Sequence, residues 1–206
     1  MSTIKNIVFD LGGVIMNLDV PKTIEAFKKL GIQNIVNETG HHYQYSFFYD
    51  FEIGKISEKY FLDSLLNISE KSPNHQEIIQ AWNAMILDMP KERIDFLTDL
   101  GKNYTLFLLS NTNSIHQKEY LDTFKNSYNS SFNDIFKKAY YSHEIGIRKP
   151  DEAIFNFILE DSNLIASETL FVDDSLSNIE AAQNVGIKTY HVQHYDTINI
   201  LKLLNQ

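Results

Sequence analysis

A chain of 206 residues, 43% of them hydrophobic, is long enough for one large domain, or a core domain with an insert, and rich enough to bury a real core. Its net charge of −9 leaves no basic excess to neutralise a nucleic acid, although a small phosphorylated ligand needs only a local positive site. The absence of cysteine removes disulfides, thiolate catalysis and Cys-based zinc or iron–sulfur centres, and is compatible with a reducing compartment.

In chain order, the first predicted element is the apolar run "NIVFD" (6–10), ended by Asp10 and followed by Gly12 and Gly13. It is too short for a signal peptide or a membrane span, so the expectation is a soluble cytoplasmic protein with no membrane partner. Residues 17–90 then carry no strand pattern. "PKTIEAFKKLG" (21–31) begins with Pro and ends with Gly, and "SEKYFLDSLLN" (57–67) and "HQEIIQAWNAMIL" (75–87) are likewise amphipathic helix patterns. "HHYQYSFFYDFE" (41–52) is dense in aromatic rings. Packing inside the helical block is the first expectation for it, and a surface closing over a ligand the second.

From residue 91 the pattern changes to alternating helices and strands. "KERIDFLTDLGKN" (91–103) sets Ile94, Leu97 and Leu100 on one stripe and feeds the apolar run "YTLFLLS" (104–110). "DEAIFNFILED" (151–161) precedes "TLFVDD" (169–174), and "SNIEAAQNVG" (177–186), stopped by Gly186, precedes "KTYHV" (188–192). The four strands are continuously apolar, as strands covered on both faces should be. The expectation is an α/β fold: a Rossmann-like parallel sheet core, residues 1–16 and 91–206, with an inserted all-helical cap domain, residues 17–90.

Ligands of open α/β sheets bind beyond the carboxyl ends of the strands. Here those ends carry Asp10, then Ser110, Asn111 and Thr112, then Asp173 and Asp174, with Lys149 and Arg148 in the intervening "GIRKPD". Each feature alone has a plain explanation as a turn former, a helix cap or a solvated charge. Together they fall at ligand-facing ends in one order. Converging carboxylates repel, so a proton or a cation must sit among them. A hard cation with oxygen ligands, Mg2+ above others, answers that need. Lys149, Ser110 and the backbone N–H groups near Gly12 and Gly13 complete an anion pocket suited to a phosphoryl group.

With "VFDLGGV", "LLSNTN", "IRKPD" and "FVDDSLSNIEAA" in this order, the chain resembles the haloacid dehalogenase (HAD) superfamily over essentially its whole length, in the branch with a helical cap after the first strand. "FDLGGV", "LSNTN", "EIGKIS" and "SHEIGIRKP" look most like its small bacterial sugar-phosphate phosphatases, including glucose-1-phosphatase-like members. The resemblance implies roles. Asp10 matches the nucleophile that forms an aspartyl phosphate. Ser110 matches the residue that hydrogen-bonds the transferring phosphoryl, and Lys149 the lysine that neutralises charge. Asp174 matches a metal-binding carboxylate, with Asp173 assisting directly or through water, and the Gly12 carbonyl also meets Mg2+. Gly13, Asn111, Thr112 and Arg148 are assigned to phosphate or substrate binding. Arg148 has an exposed ion pair as its commoner fate, and Asn178 either steadies Lys149 or the metal site or is equally a solvated helix residue. The expected partner is a small phosphorylated molecule, and the expected assembly a monomer or homodimer.

One position departs from the pattern. Most phosphatases of this superfamily carry a second Asp two residues after the nucleophile, as general acid and base. Here that position is Gly12. Three readings follow. The leaving group needs little protonation, as for a hexose 1-phosphate. Another group moves the proton, such as His41, His42, Asn113 or a metal-bound water. Or the chain is impaired and serves as a phosphate- or metal-binding protein. The superfamily's 2-haloacid dehalogenases also lack this Asp, but their fourth motif loses the acidic pair that Asp173 and Asp174 keep here. That pair favours a Mg2+-dependent phosphatase.

Overall fold

The computed structural model describes residues 3–35, 43–193 and 196–197. Strands β1 (Asn6–Phe9), β2 (Thr105–Ser110), β3 (Lys138–Tyr141), β4 (Thr169–Asp173) and β5 (Lys188–His191) form one sheet in the order β3-β2-β1-β4-β5. Every pairing is parallel. The first strand therefore lies between the second and the fourth, at the point where the strand order reverses and a ligand crevice opens.

Both faces of the sheet are covered, which is why its strands read as continuous apolar runs. Along β1, Ile7 and Phe9 join one cluster and Val8 the other, as period-two alternation requires. On the first face, Ile94, Leu97 and Leu100 of α5 (Lys91–Leu100) and Tyr120 and Phe124 of α6 (Ser114–Tyr128) pack against Leu106, Leu108 and Leu170. On the second, Ile154, Phe155 and Ile158 of α8 (Glu152–Asp161) and Ile179 and Ala182 of α9 (Leu176–Asn184) cover Val8, Phe107 and Phe171.

The block between β1 and α5 holds helices α1 (Val20–Lys29), α2 (Ser46–Glu52), α3 (Glu58–Asn67) and α4 (His75–Asn83). Among its described residues it has no strand, only isolated bridges such as the antiparallel one between Leu18 and Ile86. These helices share their own core, in which Phe27, Phe48, Phe51, Phe61, Leu65 and Trp82 are buried. Two chain segments link this block to the sheet side by side. Asn17 N–H donates to Asp88 O (2.9 Å) and Leu87 N–H to Asn17 O (3.1 Å).

Strand β3 and helix α6 carry no clear sequence signal. Only Tyr140 and Tyr141 of the four β3 residues are buried, too short a pattern to read, and the strand lies at the sheet edge. Helix α6 presents a sparse stripe of Ile115, Tyr120 and Phe124 on an otherwise polar sequence, so its periodicity is weak. Its start is nonetheless written locally, since the Asn113 side chain accepts from His116 N as an N-cap.

Candidate active site

Parallel register brings the acidic residues together. Phe9 pairs with Leu108 on one side and Val172 on the other, so one step further Asp10 stands beside Asp173. Alternation turns both side chains to the face that carries Val8 and Phe171, the face covered by α8 and α9. Lys149, in the segment that leads into α8, reaches in from that side. Its Nζ donates to Asp10 Oδ1 (2.7 Å), Asp173 Oδ2 (2.7 Å) and the Leu109 carbonyl (2.8 Å), using all three ammonium protons. Lys149 is 1% exposed and Asp173 0%, so this ammonium works where solvent screening is weakest.

Neighbouring groups fix these side chains. The Asn111 amide clamps the lysine backbone, with Nδ2 donating to Lys149 O and Lys149 N–H donating to Oδ1, both at 2.9 Å. Asp173 Oδ1 accepts from Ser175 N–H (2.8 Å) and Asn178 Nδ2 (3.0 Å), and the same amide reaches Oδ2 at 3.1 Å. Both oxygens of Asp173 are thus taken by protein donors. Asp174 lies against the loop after β1. A Cβ at Gly13, whose φ is +75°, would meet Asp174 Oδ2 at 2.0 Å, so only glycine permits this approach. Ser110 closes β2 as a buried residue, and the Thr112 N–H donates to Ser142 Oγ (2.9 Å).

The electrostatics describe a site short of positive charge. Burial pushes the Asp10 carboxyl up to about 7; Lys149 pulls it down, and Asp173 and Asp174 push it further up. Burial and Asp173 likewise raise Asp174. Burial works against the charge on Lys149, but Asp10 and Asp173 outweigh it and hold that ammonium above its ordinary range. One oxygen from each of Asp10, Asp173 and Asp174 lies within 4.8 Å of the others. Three grouped carboxylates are oxygen donors of the hardness that Mg2+ takes.

Beside the acids, a cavity of about 170 Å³ runs from the sheet into the helical block. Gly12, Ser110 and Asn111 line it on one side, Tyr43 and Glu52 on the other, with His116 on its wall. Glu52, Tyr43 and His116 were not legible as site residues. Phe48 and Phe51 of the same aromatic-rich stretch are buried in the helical core, so that stretch divides between packing and cavity lining. His41 and His42 lie outside the described residues. Arg148 does not sit free in solvent: its Nη1 lies 2.7 Å from Glu52 Oε2 and its guanidinium 5.5 Å from the Tyr49 ring centre. Asn113 spends its amide on the N-cap and on Trp82 Nε1 (3.3 Å).

His116 stacks on Trp82, their ring centres 4.5 Å apart. Its Nε2 donates to Trp82 O (3.1 Å) and its Nδ1 accepts from Asn113 Nδ2 (3.2 Å) when the ring is neutral. Burial lowers it to about 4, the Trp82 carbonyl working against that fall. The unfolded chain takes up this proton near 6.5, so its contribution is complete above that pH and is lost as pH falls from about 6.5 to about 4. At 1.36 kcal/mol per pH unit the loss is roughly 3 kcal/mol. Urea unfolding from pH 7 to pH 4 should show this limb, and His116→Gln should flatten it. An unchanged slope in the variant would contradict the assignment.

This geometry agrees with comparisons to known proteins. The family model described as haloacid dehalogenase-like hydrolase matches residues 7–192. The D-ribitol-5-phosphate phosphatase of Bacteroides thetaiotaomicron is 36% identical over 191 residues, 93% of each chain. A HAD family enzyme from the same organism, solved as an aspartate-to-alanine variant with magnesium and inorganic phosphate, superimposes with a TM-score of 0.87 at 37% identity, over 92% of this chain and 94% of that one. A HAD-like family hydrolase from Porphyromonas gingivalis aligns over 100% of both chains with a TM-score of 0.88 at 31% identity. The chain belongs to the haloacid dehalogenase-like hydrolase family. Within it, this is a phosphatase, similar over 92% of its length to an enzyme solved with magnesium and phosphate.

Proposed function

We propose that this protein hydrolyses a sugar or polyol phosphate through an aspartyl-phosphate intermediate. The observation that carries the reading is Lys149 Nζ held 2.7 Å from both Asp10 and Asp173, at the strand ends where Asp174 completes the acidic centre. Asp10 Oδ attacks phosphorus in line and the bond to the leaving oxygen breaks. Lys149 holds the nucleophile in place and offsets charge on the phosphoryl oxygens. Ser110 and Thr112, with the Gly12 main chain, receive those oxygens; Gly13, expected there from the sequence, instead donates its N–H to Met16 O (2.9 Å). Asn111 orients Lys149, and Asn178 orients Asp173. Asp10, Asp174 and the Gly12 carbonyl would hold Mg2+, with Asp173 assisting. The bound ion supplies charge neutralisation at the nucleophile and the phosphoryl group. The helical block, residues 17–90, serves as a cap that shields the site and reads the leaving group.

The similarity to a D-ribitol-5-phosphate phosphatase supports an ester on a primary carbon rather than an anomeric one. A panel of sugar 1-, 5- and 6-phosphates and polyol phosphates, assayed with Mg2+ and with chelator, tests this. Mg2+-dependent phosphate release, fastest on a primary ester of a five- or six-carbon polyol or sugar, is expected. Release that is indifferent to chelator, or none across the panel, would refute the reading.

A further inference from the structure

A primary alcohol leaves phosphorus poorly unless its oxygen is protonated, yet Gly12 supplies no carboxyl. Among the described residues, the cavity beside Gly12 holds four titratable side chains: Tyr43, Glu52, His116 and Tyr120. His116 is neutral with both ring nitrogens engaged. Burial pushes both phenols up, so they hold their protons too tightly to exchange them near neutrality. Of these four Glu52 remains, and the sheet side of the molecule holds it in place at three points. The Ser142 hydroxyl donates to the Glu52 carbonyl (2.6 Å). Gly54, at φ +66°, presses on His143 so closely that a Cβ would lie 2.0 Å from its carbonyl oxygen. Arg148 Nη1 meets Glu52 Oε2 at 2.7 Å. Among the described residues that buried oxygen takes no aligned hydrogen bond.

We propose that Glu52 is the proton donor and acceptor of this enzyme, delivering from α2 the carboxyl that position 12 lacks. The inference rests on the phosphatase reading above. As Asp10 attacks, the bond from phosphorus to the leaving oxygen breaks and the Glu52 proton passes to that oxygen, releasing the alcohol. Water then attacks the aspartyl phosphate, its proton passes to the Glu52 carboxylate, and phosphate leaves with Asp10 regenerated. The groups that face Glu52 suit both directions. Burial raises its carboxyl above the ordinary range, favouring the protonated form, and Arg148 pulls against this and steadies the carboxylate left after donation. Tyr43 faces it from the chain before α2, α7 (Ser142–Ile145) turns a hydroxyl to its main chain, and α3 packs on α2 through Phe51 and Phe61.

The test compares two esters, a polyol phosphate with a poor leaving group and 4-nitrophenyl phosphate with a good one. Both are assayed with Mg2+, and kcat/KM is followed against pH. Glu52→Gln should lower kcat/KM on the polyol ester by about 10²-fold or more and change the aryl ester only a few-fold. In the wild type, the ratio of polyol to aryl kcat/KM should fall as pH rises and Glu52 loses its proton, and the variant should lose that dependence. The wild-type ratio is readable even if the variant folds poorly. Equal losses on both esters, a rise in KM alone, or a wild-type ratio constant with pH would overturn the proposal while leaving the phosphatase reading intact. A wild-type protein inactive on both esters would overturn the two together.

Discussion

Asp10→Asn is expected to abolish phosphate release, by a factor on the order of 10⁶, the scale of losing a covalent nucleophile. The amide is nearly the same size and its oxygen still accepts from Lys149 Nζ, which lies 2.7 Å from Oδ1. What is lost is the anionic oxygen that attacks phosphorus. The fold should not suffer. In the metal-free protein the folded carboxyl holds its proton up to about 7, whereas the unfolded chain releases it near 3.8. The folded state binds more protons in that window, so stability falls as pH rises through it. Removing the carboxylate should therefore leave the melting temperature at pH 8 without Mg2+ unchanged or raised. Steady-state assays and thermal melts check both halves, and undiminished Mg2+-dependent turnover would end the nucleophile assignment.

Lys149→Met is expected to be the most damaging single change to the metal-free fold. The ammonium is buried and bridges two carboxylates, one of which is fully buried. Its removal leaves Asp10 and Asp173 as like charges in low dielectric. Breaking a buried ion pair on one side costs about 3–5 kcal/mol. For a chain of this length that lowers the melting temperature by roughly 10 °C. Two conditions should recover part of the loss, because each neutralises the stranded carboxylates: saturating Mg2+, and a pH below about 6, where Asp10 holds its proton. Turnover should stay low in either condition, since neither restores the cation that holds nucleophile and phosphate. A variant that melts like the wild type without Mg2+ would show that Lys149 does not offset these charges.

The same segment connects the two predictions with the proposed role of Glu52. Residues 142–149 supply Ser142 and Arg148 to the last turn of α2, and Lys149 to the acidic centre. One stretch of chain thus holds both the acidic centre and the carboxyl proposed as proton donor.

The sequence by itself determined the sheet and its chemical edge. Continuous apolar runs ending in Asp10, Ser110 and Asp173 are local patterns, and parallel register converts strand-end position into spatial proximity without further information. Helices α1, α3, α4, α5, α8 and α9 were legible for the same reason, since each carries its apolar stripe within ten residues or so. Tertiary structure alone decided what depends on two distant segments docking. Asn111 was expected at the phosphate, but its amide closes on the Lys149 backbone, a contact across 38 residues. Glu52 reads as one more acid at the end of an aromatic helix until Arg148 and Ser142 hold it over the cavity, across a sequence gap that no periodicity spans. Strand β3 escaped notice because an edge strand with two buried residues has too little pattern to stand above chance. Gly12 lies between these cases. The sequence shows that a carboxyl is missing there, and only the packing of α2 against α7 sets Glu52 on the wall of the same cavity.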